Sequence, residues 1–91
     1  MTITEKSYPI FYPPEATDTE PVGHMEVHES LGGWVVRASL DGYKPLEGMV
    51  EHGAFLKEAR VKRLERRLLG MAHFQASLIY DQPSAIETAT I

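Results

Sequence analysis

Two runs of alternating apolar and polar residues, separated by a pair of glycines, constrain the fold of this chain more than any other feature. The runs span residues 24–31 and 34–41, and Gly32-Gly33 lies between them. Alternation with a period of two is typical of a strand with one buried face. Adjacent glycines tolerate the positive φ angles of a two-residue hairpin turn. The sequence therefore predicts an antiparallel β-hairpin over residues 24–41.

The same turn predicts which residues of the hairpin lie opposite one another. One face is then apolar apart from Glu29, and the other face is polar. The expected pairs are Leu31–Trp34, Glu29–Val36, Val27–Ala38 and Met25–Leu40 on the first face, and His28–Arg37, Glu26–Ser39 and His24–Asp41 on the second. A slip of one residue would send every side chain to the opposite face, so the pattern opposes such a slip.

A helix is predicted over residues 54–69. No glycine or proline interrupts this stretch, and most of its residues are strong helix formers. Gly70 follows at a position where helices commonly end. Val61, Leu64 and Leu68 form a narrow apolar seam, which can pack against a sheet or pair with a second copy of the chain to give a homodimer.

Two further segments fit more than one structure. Residues 71–80 alternate in character directly after a glycine, which favours a strand over a continued helix, although apolar residues also extend the helical seam. Residues 43–53 fit a short strand, a loop or one helical turn. The expected fold class is α+β, in the order β-β-α-β, with one main helix packed on a mainly antiparallel sheet.

One small domain with less regular ends is expected from a chain of 91 residues. Residues 1–22 hold four of the six prolines and several acids, which predicts an acidic arm that packs on the domain only at residues 8–12. Residues 23–81 are expected to form the compact domain. Residues 82–91 are expected to form a flexible tail.

The composition excludes several classes of protein. The chain has no cysteine, which rules out disulfides and cysteine-based zinc or redox sites and fits a reducing compartment. The N-terminal residues contain no apolar run that resembles a signal peptide. No stretch approaches the roughly 18 apolar residues of a membrane span. We therefore expect a cytoplasmic protein that makes no contact with a membrane.

Charge is distributed unevenly along the chain. Residues 57–67 hold six of the nine lysines and arginines and only two acids, so a segment of net charge +4 belongs to a body of net charge −8. Such asymmetry favours a macromolecular partner. The expected contact residues are Lys57, Arg60, Arg63, Arg66 and Arg67, with Arg37 at their edge.

Three interpretations of this basic helix remain open. Its bases pair with Glu58, Glu65 or the acidic arm, which is the commonest fate of a charge run; they bind an acidic surface of another protein; or they contact nucleic-acid phosphates. A net charge of −4 and a pI near 5.5 count against nucleic acid. We expect a protein-binding inhibitor, adaptor or regulator, including one encoded by a phage or mobile element, with a nucleic-acid-binding regulator as the alternative.

The sequence offers one weak candidate for a metal site. His24, Glu26 and His28 would share a strand face and present two imidazoles and a carboxylate. A solvated polar face is the favoured alternative, because Arg37 is expected opposite His28 and would repel a cation. No catalytic grouping or Gly-rich phosphate loop is recognisable. Neither a cofactor nor an enzymatic activity is expected.

Overall fold

Four antiparallel strands followed by one helix make up the fold. The computed structural model describes residues 3–81, and the predicted flexible tail at residues 82–91 lies outside them. The elements are β1 (Lys6–Ile10), β2 (Gly23–Glu29), β3 (Gly33–Leu40), β4 (Leu46–Glu51) and α1 (Lys57–Tyr80). The strands lie in the order β1-β2-β3-β4 within a single sheet. The α+β class is therefore confirmed, whereas the order β-β-α-β is wrong because all four strands precede the helix.

The predicted hairpin is formed by β2 and β3, but its register differs from the expected one. The backbone N–H of Ser30 donates to the carbonyl of Gly33 at 2.7 Å, so the turn lies one residue earlier than expected. Val27 consequently pairs with Val36 and not with Ala38. Moving the turn by one residue shifts the pairing by two, which leaves the side chains of the paired strands on their predicted faces, whereas Leu31, expected opposite Trp34, lies exposed in the turn. The apolar face of the hairpin is thus the buried face, as expected.

A close approach of two strands explains why Gly33 belongs to β3 and not to the turn. A Cβ atom at this position would lie 2.2 Å from the carbonyl oxygen of Val50 on β4. The second glycine is therefore needed where β3 and β4 meet, a contact that the local pattern does not reveal.

The N-terminal arm and the segment after the hairpin supply the two edge strands. β1 pairs with β2 and contains Pro9, which an edge strand tolerates because one of its sides needs no ladder hydrogen bonds. Ile10 at the end of β1 is buried in the core. Of the three structures considered for residues 43–53, the strand is the one observed, since this segment contains β4.

α1 runs without interruption through Gly70, so the strand predicted over residues 71–80 is wrong. Glycine inside a helix costs only about 1 kcal/mol relative to alanine. Against that cost, Ala72 and Ala76 are completely buried on the same side of the helix as Leu68. Packing of this second half of α1 against the sheet therefore outweighs the helix-ending tendency of the glycine.

One face of the sheet and one stripe of α1 together form the core. A Cβ at Gly48 would lie 3.0 Å from Leu64, so the absence of a side chain on β4 lets the helix approach closely at this point. Trp34 is part of this interior. The buried apolar residues are Ile10, Met25, Val27, Trp34, Val36, Ala38, Leu40, Val50, Val61, Leu68, Ala72 and Ala76.

The replacement Gly70→Ala should raise the free energy of unfolding by about 0.5–1 kcal/mol, because it removes the helix penalty of glycine and its Cβ enters open space. Urea unfolding followed by circular dichroism measures this change, with the denaturant dependence unaltered. Gly33→Ala is the matched control and should destabilise the fold, since its Cβ would collide with β4. Destabilisation by Gly70→Ala would instead indicate a terminating glycine at residue 70.

Candidate functional site

α1 has a buried side that packs on the sheet and an exposed side that faces away from it. Its buried residues are Val61, Glu65, Leu68, Ala72 and Ala76, which lie three or four positions apart and so share one face of the helix. The exposed side is basic in its first half and apolar in its second half. We call Arg60, Arg63, Arg66 and Arg67 the basic surface.

The basic surface carries positive charge that the described part of the chain does not neutralise. All four arginines are exposed. Within residues 3–81, no lysine or arginine of α1 lies within 4.0 Å of a carboxylate oxygen. Of the two acids expected to pair with these bases, Glu65 is turned towards the sheet, and Glu58 lines a groove beside Ile3 and Thr4. Among residues 3–81, the four arginines are therefore exposed and have no carboxylate partner.

Lys57 lies apart from the arginines, at the N-terminal end of α1. It lines a shallow groove together with Glu5, Glu29, Glu58 and other residues of the arm and sheet. The carboxylates around Lys57 make this end of the helix less positive than the basic surface. Of the predicted contact residues on α1, the four arginines therefore form a cationic region, whereas Lys57 lies beside it among carboxylates.

Arg37 lies on the far side of the sheet and does not join the basic surface. Its neighbours Val36 and Ala38 are buried under α1, so the alternation of β3 sends Arg37 to the opposite face. Its Nε and Nη2 donate to Oε2 of Glu47 at 2.8 and 2.6 Å. These hydrogen bonds raise the pKa of Arg37 and occupy its guanidinium within the protein itself.

The seam proposed for self-association is occupied by the chain's own sheet. Val61 and Leu68 belong to the core, and Leu64 packs half-buried over Gly48. A second copy could reach these side chains only by displacing the strands beneath them. The seam therefore holds α1 on its own domain.

Sequence reasoning missed an apolar patch on the exposed side of α1. Met71, Phe74 and Leu78 are 43%, 66% and 49% exposed and lie directly beyond Arg67. Their spacing of three and four residues is a signal for one helical stripe. The strand predicted over residues 71–80 places Met71 on the opposite face from Phe74 and Leu78, and it therefore does not predict this patch.

A buried carboxylate links the basic helix to the opposite edge of the sheet. Glu65 is only 9% exposed, and its Oε1 lies 3.0 Å from Nζ of Lys6. The hydroxyl of Tyr8 donates a short hydrogen bond to its Oε2. Burial, together with the bond to Glu65, raises the pKa of Tyr8 well above its usual value of 10.0. β1 and α1 are thus joined by polar contacts between residues 57 and 59 positions apart.

A second pair of contacts holds the C-terminal end of α1. The rings of Tyr12 and Tyr80 stack with their centroids 6.2 Å apart. The hydroxyl of Tyr12 donates to Oδ2 of Asp81 at 2.5 Å. That hydrogen bond raises the pKa of Tyr12. The N-terminal arm therefore contacts the helix at two places, through Tyr8 at Glu65 and through Tyr12 at Tyr80 and Asp81.

The candidate metal residues lie on the outer face of β2 but do not form a binding cluster. His24 lies opposite Ser39, and Glu26 lies opposite Arg37. His28 faces Val35, so the expected pairing of His28 with Arg37 is wrong by the same two-residue shift. Within the described residues, no three His, Asp or Glu side chains are arranged to hold a metal ion.

Comparison with known proteins adds no relationship. No protein-family model matches the chain, and the searches of curated proteins and of solved structures give no match. A separate finding concerns membranes: in the part of the chain that the structure describes, no helix has the length and apolarity required to cross one.

Removal of one hydroxyl tests the buried contact. Tyr8→Phe should lower the free energy of unfolding by about 1.5–3 kcal/mol, because a hydrogen bond to a buried carboxylate is lost. Tyr12→Phe is the matched control. It removes an exposed hydrogen bond to Asp81 and should cost less. Urea unfolding measures both variants, and equal losses would contradict a special role for the Glu65 contact.

The raised pKa of Tyr8 also predicts a dependence of stability on pH. Unfolded tyrosine loses its proton near pH 10, whereas folded Tyr8 keeps it to higher pH. The stabilisation is therefore complete below pH 10 and is lost progressively as the pH rises above this value. The free energy of unfolding should fall less steeply above pH 10 in Tyr8→Phe than in the unmodified protein. Equal slopes of the free energy of unfolding against pH in the two proteins would contradict a raised pKa for Tyr8.

Proposed function

We propose that this chain is a small non-catalytic protein that binds an acidic surface of another protein through the basic surface of α1. One observation carries the proposal: four exposed arginines lie on a helix held by the core, and none is paired with a carboxylate of the described chain. An inhibitor, adaptor or regulator would use such a surface. Lys57 lies at its margin.

The physical advantage of this arrangement is that no ion pair with residues 3–81 has to break before a partner binds. A guanidinium presents several N–H donors in a planar fork and can bind a carboxylate through two hydrogen bonds at once. Because α1 is fixed on the sheet, the four side chains have a defined spacing before the encounter. Charge complementarity of this kind accelerates association and selects among partners more than it adds to affinity.

A protein partner fits the surroundings of the basic surface better than nucleic acid does. Glu5, Glu29 and Glu58 lie around the N-terminal end of the helix, and the whole chain has a net charge of −4. An extended polyanion lying along α1 would meet these carboxylates and be repelled. A protein with a local acidic patch can contact the arginines alone.

The groups with perturbed pKa values lie in contacts that hold the fold together. Among the described residues these are Tyr8, Tyr12 and Arg37, and a hydrogen bond to a carboxylate contributes to each shift. All three contacts hold one element of the fold against another. Catalytic groups more commonly combine perturbed pKa values with a shared cleft, which these residues do not form.

Reversal of three charges tests the proposal. The variant carrying Arg60→Glu, Arg63→Glu and Arg66→Glu should fail to capture the partner from a lysate of the source cells. The matched control carries lysine at the same three positions and should retain most of the capture, because the charge is kept. Quantitative mass spectrometry of the captured proteins measures the difference, and circular dichroism confirms that both variants remain folded.

Nuclease treatment separates the two classes of partner in the same experiment. Capture that survives nuclease and is lost on charge reversal supports the proposal. Capture that disappears with nuclease, together with an affinity that falls steeply with the logarithm of salt concentration, would replace it by nucleic-acid binding. Capture unchanged by charge reversal would exclude the basic surface as the site.

A further inference from the structure

The exposed side of α1 carries a stripe of five residues that we call the outer stripe. Its members are Arg67, Met71, Phe74, Leu78 and Asp81, with the last residue at the C-terminal cap. The intervals of four, three, four and three residues are those of an a/d seam in a pair of packed helices. The three central residues are apolar and largely exposed, so the described part of the chain leaves this seam without a cover.

We propose that a second copy of the chain covers the outer stripe, with the two α1 helices antiparallel and centred on Phe74. In this arrangement the apolar residues of one copy meet those of the other. Arg67 lies seven positions before Phe74 and Asp81 lies seven positions after it. The symmetry of an antiparallel pair therefore places Arg67 of each copy opposite Asp81 of the other.

Charge complementarity selects this occupant and this orientation. The apolar centre is bounded by a cation at one end and an anion at the other. The stripe is therefore complementary to the same stripe on a second copy that runs in the opposite direction. A parallel pair would instead place Arg67 against Arg67 and Asp81 against Asp81, which is repulsive. Oδ2 of Asp81 accepts the hydroxyl of Tyr12, and its other carboxylate oxygen is free of any hydrogen bond within the described chain.

The position of the stripe leaves room for a second helix. Ala72 and Ala76 mark the side of α1 that contacts the sheet, and Phe74 lies halfway between them in sequence and projects to the opposite side. Helices pack with their axes about 8–10 Å apart, and at that distance the two sheets lie on the outer sides of the pair. The assembly would be a four-layer arrangement of sheet, helix, helix and sheet.

This inference does not rest on the proposed function, but the two are compatible. Pairing centred on Phe74 leaves the N-terminal halves of the two helices pointing away from each other. At a rise of about 1.5 Å per residue, the two copies of Arg63 would lie about 33 Å apart along the helix axis. A dimer would therefore present Arg60, Arg63 and Arg66 at two separate places, with Arg67 in the dimer contact, which is an arrangement suited to a partner with repeated acidic sites.

Sedimentation equilibrium over micromolar to millimolar concentrations tests the proposal. The unmodified protein should associate as a dimer, and Phe74→Glu should remain monomeric throughout the range. Leu31→Glu is the matched control, since Leu31 is a fully exposed apolar residue in the hairpin turn, and this variant should dimerise normally. A monomeric unmodified protein, or a dimer that Phe74→Glu leaves intact, overturns the inference.

A charge exchange tests the antiparallel orientation. Arg67→Asp and Asp81→Arg should each weaken dimerisation about tenfold, because two symmetric pairs are lost at once. The double variant should restore the original dissociation constant. Tyr12→Phe controls for the hydrogen bond that Asp81→Arg also removes, and it should leave the dimer intact. Failure of the double variant to recover would overturn the orientation.

The same measurements separate this inference from the proposed function. The variant carrying glutamate at residues 60, 63 and 66 should still dimerise, while losing its partner. Phe74→Glu should still capture the partner as a monomer, although more weakly if the partner has repeated sites. Loss of dimerisation in the first variant would contradict the inference that Arg60, Arg63 and Arg66 lie outside the dimer contact, which takes only Arg67 from the basic surface.

Discussion

The rest of the structure depends on one constraint: α1 is the only element of the described chain that covers the apolar face of the sheet. Four strands expose an apolar face that must be buried, and the 24 residues of α1 have to span it. A helix that ended at Gly70 would remove the buried Ala72 and Ala76 from the core. The helix therefore continues past Gly70 because of its packing on the sheet as much as because of its own residues.

The same constraint accounts for the buried carboxylate. α1 contacts mainly β3 and β4, so the outer strand β1 needs a separate connection to the helix. Glu65 provides it by accepting from Tyr8 and pairing with Lys6. An isolated carboxylate in this position would be strongly destabilising, whereas one with two partners is tolerated. Because Glu65 points towards β1, it lies away from the basic surface. The contact that holds β1 on the helix therefore also keeps this carboxylate from pairing with the arginines.

Local patterns predicted those parts of the fold that depend on local physics. The buried face of the hairpin was predicted correctly because its two-residue period survives a shift of two. The register was not predicted correctly, because glycine is needed at residue 33 for the close approach of β4 to β3. The basic surface was recognised from charge alone, since exposed arginines require no knowledge of the core. The outer stripe was not predicted because residues 71–80 are helical only through contacts with the sheet. Burial of Ala72 and Ala76 in those contacts fixes which side of the helix is exposed.

The charges of α1 do not serve the stability of the helix itself. Its cations lie in the N-terminal half, its last turn has no basic residue, and Asp81 follows its C-terminal end. The helix dipole favours the reverse arrangement, with anions at the start and cations at the end. Glu58 in the first turn offsets only part of this cost. Charges that the helix does not require, on a side that the core does not use, fit the contacts with other molecules that are proposed for them. The arginines of the basic surface and the Arg67–Asp81 boundary of the outer stripe both have this property.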